Sequence, residues 1–337
     1  MQRFELLTIW LKEHFGPQGF EIKPASSDAS FRRYYRIYQQ EKRYIAMDAP
    51  PPNEDVRPFI QVSRLFAQAG IHVPTIYATN IDMGFLLLSD LGSQDYFSEL
   101  NQQSANALYR DAIDTLLLLQ RSFSGGVELP HYDEPLLQSE MALFSEWYLT
   151  RHLGVSLSNN EQQVLDHSFA LLKDNALEQP QVCVHRDYHS RNLMVCESHN
   201  PGVLDYQDAV WGAISYDLVS LLKDCYICWS DTQLYGWVRY YYQQATLMGL
   251  LSCDERQFIE WFDLMGMQRH LKAIGIFSRL NYRDNKPGYL KDIPRVVGYI
   301  LRMVEKYPQF LGLKELLERH GIKGETMDHL SHQVGGK

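Results

Sequence analysis

The segment 185–192 constrains this chain more than any other feature, because it places polar side chains between predicted strands. It reads His-Arg-Asp-Tyr-His-Ser-Arg-Asn and follows the short apolar run Gln181–Val184. A second apolar run, 193–195, comes directly after it, and a third, 202–204, ends at Asp205. Strands that each end beside polar residues are typical of a sheet that presents a site.

Three of these polar residues suit phosphoryl transfer. The segment matches the H-R-D-x-x-x-x-N catalytic loop of protein kinases, and Asp205 follows Asn192 by thirteen residues. We predict that Asp187 orients the acceptor hydroxyl and takes its proton. Asn192 and Asp205 are then predicted to bind Mg²⁺ that bridges the phosphates of ATP, because Mg²⁺ prefers oxygen ligands. A loop-capping role is the alternative for Asp187, and the spacing of all three residues argues against it.

The secondary-structure pattern changes near residue 90. Short β-branched or aromatic segments before this point indicate strands at 31–37, 43–47, 75–79 and 84–89, and a helix starts after Asn53. Long amphipathic segments after it indicate helices at 98–122, 136–152, 160–176, 214–228 and 255–282. We therefore predict an α+β, protein-kinase-like two-lobed fold. A small β-rich lobe would span residues 1–90 and a larger helical lobe 91–337, with a small ligand in the cleft between them.

Composition excludes several classes of function. The net charge of -9 argues against nucleic-acid binding, and the longest apolar runs are too short to cross a membrane. The five cysteines are an odd number without a disulfide framework, which fits a reducing cytoplasm. No G-x-x-x-x-G-K-[ST] motif is present, so P-loop nucleotide binding is excluded. The oligomeric state is not encoded in spacing or periodicity.

The sequence resembles the clan of aminoglycoside phosphotransferases and choline kinases, which shares the protein-kinase fold. Within that clan, segments 27–34, 47–52, 70–74 and 88–92 are similar to the bacterial cell-wall sugar kinases. The resemblance implies ATP and Mg²⁺ as cofactors and the roles given above for Asp187, Asn192 and Asp205. It also implies a hinge that contacts adenine through the backbone of Ser89, Asp90 and Leu91. Ser27 and Ser30 occupy the place of the phosphate-covering hairpin.

Two positions depart from the kinase pattern. Protein kinases carry a phosphate-binding lysine on the third strand, where this chain has Met47. We hypothesise that Arg33 replaces this lysine, if the strand face that it shares with Tyr35 and Ile37 looks into the cleft; a solvent-facing arginine is the alternative. Arg186 stands where the clan usually has glycine. Asp217 opens an apolar segment and is predicted to cap a helix or to brace the catalytic loop; capping alone explains it.

The resemblance implies an ATP-dependent sugar kinase that phosphorylates the anomeric hydroxyl of N-acetylmuramate and N-acetylglucosamine. The alternatives are a phosphotransferase for aminoglycosides or other hydroxyl-bearing small molecules, and a nucleotide-binding pseudokinase. The acceptor pocket distinguishes the first two. A polycationic acceptor needs clustered carboxylates, whereas a sugar with a lactyl group needs mixed donors and a cation.

Overall fold

The computed structural model describes residues 2–16, 19–27, 31–123 and 129–325. Within them the strands are β1 (Glu21–Ser27), β2 (Arg33–Gln39), β3 (Lys42–Asp48), β4 (Ile76–Asn80), β5 (Phe85–Ser89), β6 (Gln181–Val184), β7 (Leu193–Met194), β8 (Gly202–Val203) and β9 (Val210–Ala213). The α-helices are α1 (Arg3–Phe15), α2 (Val56–Gln68), α3 (Tyr96–Glu99), α4 (Ala105–Ser122), α5 (Glu134–Leu143), α6 (Asn159–Glu178), α7 (Tyr216–Leu222), α8 (Asp231–Leu247), α9 (Glu255–Asp284), α10 (Ile293–Lys306) and α11 (Leu311–Arg319). A π-helix spans Phe144–His152, and 3₁₀ turns span Ser190–Asn192, Pro287–Asp292 and Pro308–Phe310.

The chain divides into two compact units. The first contains Met1–Gln94 and Leu193–Asp208, and the second contains the remainder. The predicted division at residue 90 assigns the segment 193–208 to the larger lobe. Its backbone instead hydrogen-bonds within the first unit, because the Val203 N–H donates to the His72 carbonyl and the Val195 N–H to the Gln94 carbonyl, both at 2.8 Å.

The first unit is built on a five-stranded antiparallel sheet with the order β1-β2-β3-β5-β4. Side chains alternate between its faces, so every second residue of a strand meets the same neighbours. On one face Ile37, Ala46 and Phe85 are fully buried with Leu7 and Leu11 of α1. This face is therefore closed by a helix. Arg33, Tyr35 and Ile37 share it, because they are alternate residues of β2.

The second helix starts where the sequence predicts. Asp55 is its N-cap, and the Asp55 side chain accepts a hydrogen bond from the Arg57 N–H. The buried face of α2 carries Phe59 and Phe66, whose rings lie 4.9 and 5.6 Å from the ring of Tyr206. Because Tyr206 follows Asp205, this aromatic contact ties the end of the 193–208 segment to α2.

The second unit is helical, and its core is organised around α9. This helix is thirty residues long, and most of its residues are buried against α5, α6, α7, α10 and the π-helix. At Gly275 the backbones come close together, because a Cβ there would lie 2.6 Å from the carbonyl oxygen of Leu143. The Gly275 position therefore tolerates no side chain at the present spacing of α5 and α9.

Two predicted helices are shorter than expected. The pattern predicts a helix over 98–122, but α4 begins at Ala105. The apolar pattern predicts a helix over 214–228, but α7 ends at Leu222. Lys223 leaves the helical backbone conformation, and its buried ammonium group lies 2.7 Å from Asp263 on α9. The apolar residues that follow Lys223 are buried by packing against distant parts of the chain, and not because they form one face of a helix. Among the described residues, no helix has both the length and the apolar character that crossing a bilayer requires.

Candidate active site

The predicted catalytic loop begins where β6 ends and closes in the 3₁₀ turn Ser190–Asn192. One of its internal hydrogen bonds runs from the Asn192 side-chain Nδ2 to the Asp187 carbonyl oxygen at 3.0 Å. Since the amide nitrogen is used inside the loop, the amide oxygen is the atom of Asn192 suited to bind a cation. The Asp187 side chain is 45% exposed, so its carboxylate is accessible to a second molecule.

Two buried carboxylates hold this loop from outside. Asp217 of α7 accepts the backbone N–H groups of His185 and Arg186 at 2.6 and 2.9 Å. Asp224 accepts the N–H and the hydroxyl of Ser190 at 3.1 and 2.5 Å. Helix capping was sufficient to explain Asp217 from the sequence, but its side chain braces the loop. The only signal in the sequence was a carboxylate inside an apolar segment, which a buried donor must satisfy.

Asp217 is fully buried, and this affects its ionisation. Burial raises the pKa of Asp217 to about 7, although the two backbone N–H groups oppose the shift. A carboxylate loses hydration on burial, and two neutral donors compensate for this loss only in part. The loop is therefore braced by a group that titrates near neutral pH.

Arg186 extends from the loop beside Asp187. Its backbone is left-handed, with φ of 78°, which explains why glycine suits this position. A residue with a side chain adopts this conformation at a cost of about 1–2 kcal/mol. The Arg186 guanidinium pairs with Glu140 of α5 and lies 5.6 Å from the centre of the Tyr132 ring. The strained backbone thus directs a cation toward α5 and α9.

Helix α9 contributes two further cations. The Lys272 ammonium group lies 2.9 Å from Glu140 and donates to the Tyr216 hydroxyl at 3.1 Å. The Arg269 guanidinium is buried, lies 4.0 Å from the Asp187 carboxylate, and has an Nε without a hydrogen-bond partner among the described residues. We call Arg186, Arg269 and Lys272 the basic cluster. Glu140 and Asp187 lie within 4.0 Å of these cations, and the buried carboxylates Asp217 and Asp224 also interact with Arg269.

The basic cluster sets the charge state of the predicted base. The partial burial of Asp187 by itself would raise its pKa, but the surrounding cations outweigh this effect and hold that pKa below its usual range. Lys272 has the largest effect among them. Asp187 is therefore an ionised carboxylate at neutral pH, ready to accept a hydrogen bond from a hydroxyl group.

Asp205 lies in the first unit, two residues after the end of β8 at Val203. Its backbone is left-handed, with φ of 61°. The Asp205 Oδ1 accepts a hydrogen bond from the Gln207 side chain at 3.0 Å and lies 3.4 Å from the Arg32 guanidinium. Asn192 belongs to the second unit. Both residues offer the hard oxygen donors that fit Mg²⁺, and their joint role as ligands stays a prediction.

The predicted hinge is held by hydrogen bonds of both its side chains and its backbone. The Asp90 carboxylate is buried and accepts the Arg36 Nε at 2.8 Å. The Ser89 N–H donates to the Thr75 carbonyl and the Ser89 hydroxyl accepts the Thr75 N–H, both at 2.9 Å. These bonds hold the segment from Ser89 to Leu91, whose backbone we predict to contact adenine.

The structure describes two of the three residues that we predict to lie beside the phosphates, Ser27 and Arg33. Ser27 ends β1, where its backbone pairs with Arg33, and Ser30 lies outside the described residues. Arg33 is exposed and belongs to the sheet face that packs against α1. The cation beside Asp205 is the preceding residue, Arg32. The choice between these two adjacent arginines depends on where β2 begins, and no local pattern determines that residue.

Solved structures identify the fold. A choline kinase from Streptococcus pneumoniae matches with a TM-score of 0.62 over 90% of this chain and 99% of that chain, at 12% identity. An ADP-bound aminoglycoside phosphotransferase matches with a TM-score of 0.54 over 88% of this chain and 98% of that chain, at 14% identity. The fold is therefore the protein-kinase-like fold that these enzymes share, as the sequence predicts.

Relatives of known name identify the family. The model of the phosphotransferase enzyme family matches residues 21–250. Proteins named N-acetylmuramate/N-acetylglucosamine kinase are 46% identical in Pseudomonas aeruginosa and 44% identical in Pseudomonas putida, each over 94% of this chain and 96% of the relative. One from Neisseria meningitidis is 39% identical over the same shares of both chains. The chain belongs to the phosphotransferase enzyme family.

Proposed function

We propose that this protein transfers the γ-phosphate of ATP to the anomeric hydroxyl of N-acetylmuramate and N-acetylglucosamine. The names of relatives that are 39–46% identical over nearly the whole chain support this acceptor class. The observation in the structure that carries the proposal is an ionised, accessible Asp187 beside the basic cluster. We further propose that the enzyme works in the cytoplasm, where ATP is available.

In the proposed reaction, Asp187 accepts a hydrogen bond from the anomeric hydroxyl and orients its oxygen toward the γ-phosphorus of ATP. A new oxygen–phosphorus bond forms, the bond from the γ-phosphorus to the β–γ bridging oxygen breaks, and ADP leaves. The hydroxyl proton passes to the Asp187 carboxylate. Asn192 and Asp205 would hold Mg²⁺, which when bound neutralises charge on the phosphates.

The basic cluster bears on the choice between a sugar acid and an aminoglycoside. N-acetylmuramate carries a lactyl carboxylate, and a negative group is attracted to a site that contains Arg186, Arg269 and Lys272. A polycationic aminoglycoside placed against the same residues would meet like charges at short range, and such an arrangement costs several kcal/mol. Glu140 pairs with both Arg186 and Lys272 and neutralises part of this charge, while Arg269 lies beside Asp187.

The test is a panel of acceptors with magnesium and ATP. The panel contains N-acetylmuramate, N-acetylglucosamine, a set of aminoglycosides and choline, and the measurements are ADP release and the phosphorus NMR spectrum of the product. We expect turnover with the two amino sugars and a phosphate on the anomeric carbon. Turnover with aminoglycosides alone would reject the proposal. No turnover with any acceptor would favour a nucleotide-binding pseudokinase.

A further inference from the structure

The third strand lacks a cation where a kinase-like site needs one. Lys42 lies at the turn end of β3, and the predicted position of the phosphate-binding lysine holds Met47, which is 1% exposed. Met47 pairs in register with Tyr34 on one side and with Leu86 on the other. A thioether in the interior of the sheet cannot neutralise phosphate, so another residue must supply the positive charge.

Arg32 has the position and the partners for this role. Its side chain is only 10% exposed, and one guanidinium nitrogen lies 3.4 Å from the Asp205 carboxylate. The Arg32 Nε lies 3.8 Å from the Glu54 carboxylate, so the guanidinium is placed between two carboxylates. Arg32 is thus placed beside the carboxylate that we predict to bind the metal of the nucleotide.

Glu54 holds this segment at two points. One of its carboxylate oxygens faces Arg32, and the other accepts the backbone N–H of Phe31 at 3.2 Å. Glu54 immediately precedes the N-cap of α2, so its own backbone is anchored by the helix start. The backbone and the side chain of the 31–32 segment are therefore both tied to α2.

We propose that Arg32, positioned by Glu54, is the nucleotide-binding cation of this enzyme and contacts the phosphates of ATP in place of the missing third-strand lysine. The planar guanidinium has five N–H donors, so it can keep Glu54 beside Nε while other N–H groups bind phosphate oxygens. The inference rests on the proposed kinase function and assigns a residue within it. Arg33 is the matched control for Arg32, because it is the next residue, carries the same charge and is exposed.

The experiment compares Arg32→Ala with the matched control Arg33→Ala. The dissociation constant of ADP, with and without magnesium, is measured by calorimetry, and the KM values for ATP and for N-acetylglucosamine are measured separately. We expect Arg32→Ala to weaken ADP binding and to raise the KM for ATP by about 10–100-fold, since a hydrogen bond to a charged group contributes about 1.5–3 kcal/mol. The KM for the sugar stays within about twofold, and Arg33→Ala matches the wild type.

Two further variants separate a nucleotide contact from a structural role. Arg32→Lys keeps the charge without the planar fork, so we expect affinity between those of the wild type and Arg32→Ala. Glu54→Gln removes the anchor and should weaken ADP binding by a smaller factor. If Arg32→Ala does not fold, which thermal melting without nucleotide shows, the lysine and glutamine variants decide the question.

The inference fails if ADP binds Arg32→Ala as tightly as the wild type, or if Arg33→Ala has the larger effect. It also fails if the lysine and glutamine variants bind ADP normally. These outcomes are distinct from failure of the proposed function. Loss of ADP affinity on removing Arg32 is measured without any acceptor, so it can be established even for a protein that phosphorylates none of the sugars.

Discussion

The catalytic loop 185–192 and the segment 31–32 before β2 are held by different kinds of contact. The loop is fixed through its backbone, whose N–H groups bind the buried carboxylates Asp217 and Asp224. The 31–32 segment is fixed through the ion pairs of Arg32 and one backbone hydrogen bond to Glu54. Backbone bracing sets the loop before a substrate arrives, whereas charged side chains respond to the charges that a nucleotide brings. The first region is thus suited to chemistry and the second to binding.

The largest effect should come from the loop. Replacing Asp187 with asparagine removes the proton acceptor but keeps the size of the side chain and the loop. We expect turnover to fall by about 10²–10⁴-fold, the usual contribution of general-base catalysis, with ADP affinity unchanged. Steady-state kinetics and calorimetry measure the two quantities. Asp166→Asn, at an exposed carboxylate of α6, is the control, and full turnover in Asp187→Asn would remove its assignment as base.

Arg186 should affect the acceptor and not the nucleotide. Replacing it with alanine removes a guanidinium of the basic cluster, so kcat/KM for N-acetylmuramate should fall by about tenfold or more, as for a charged hydrogen bond. N-acetylglucosamine lacks the lactyl carboxylate and should lose less. Arg283→Ala, at an exposed arginine of α9, is the matched control. Equal losses for both sugars would mean that Arg186 does not recognise the carboxylate.

Lys272 links the charge of the cluster to the pH dependence of the reaction. It is the strongest of the cations that hold the pKa of Asp187 low, so its replacement by methionine should raise that pKa. The acidic limb of the profile of kcat/KM against pH then moves to higher pH. Lys173→Met, which removes a lysine paired with Glu134 on the surface, should leave the profile in place. An unshifted profile for Lys272→Met would contradict the electrostatic argument.

The smallest expected effect is on stability and comes from Asp217, the carboxylate that braces the loop. Because the pKa of Asp217 is raised to about 7 in the folded protein, the folded state holds this proton more tightly than the unfolded chain does. The stability that Asp217 contributes is therefore complete below the unfolded pKa, near 4, and declines as pH rises through about 7. The difference in free energy of unfolding between wild type and Asp217→Asn should shrink over this range. Urea denaturation at several pH values measures it, and a constant difference would show an unshifted pKa.

The sequence predicts the loop far better than its surroundings. The apolar run before the loop is found as β6 with the same bounds, because strand endings and polar residues are local signals. The brace by Asp217 and the pairing of Arg186 with Glu140 join residues 31 and 46 positions apart, and no local pattern reports them. The sequence patterns also do not predict β1, α8, α10 and α11. Their hydrophobic faces are defined by partners distant in the chain, not by period alone.

Arg32 and Arg33 show a second limit of local patterns. The chain lacks the third-strand lysine, and strand alternation favours Arg33 as its replacement if the sheet face of Arg33 is open. That face packs against α1, and the bond to Asp205 comes from the residue just ahead of the strand. A shift of one residue exchanges the two faces of a strand, so this detail could not be read without the register.

Gly275 has a consequence for the spacing of the basic cluster. It lies one turn beyond Lys272 on α9, and Leu143, which it meets, lies one turn beyond Glu140 on α5. Because no side chain separates the two backbones at this crossing, the helices approach closely enough for the lysine to pair with its carboxylate. We expect a single added methyl group at residue 275 to push α5 and α9 apart and to lengthen the distance between Lys272 and Glu140.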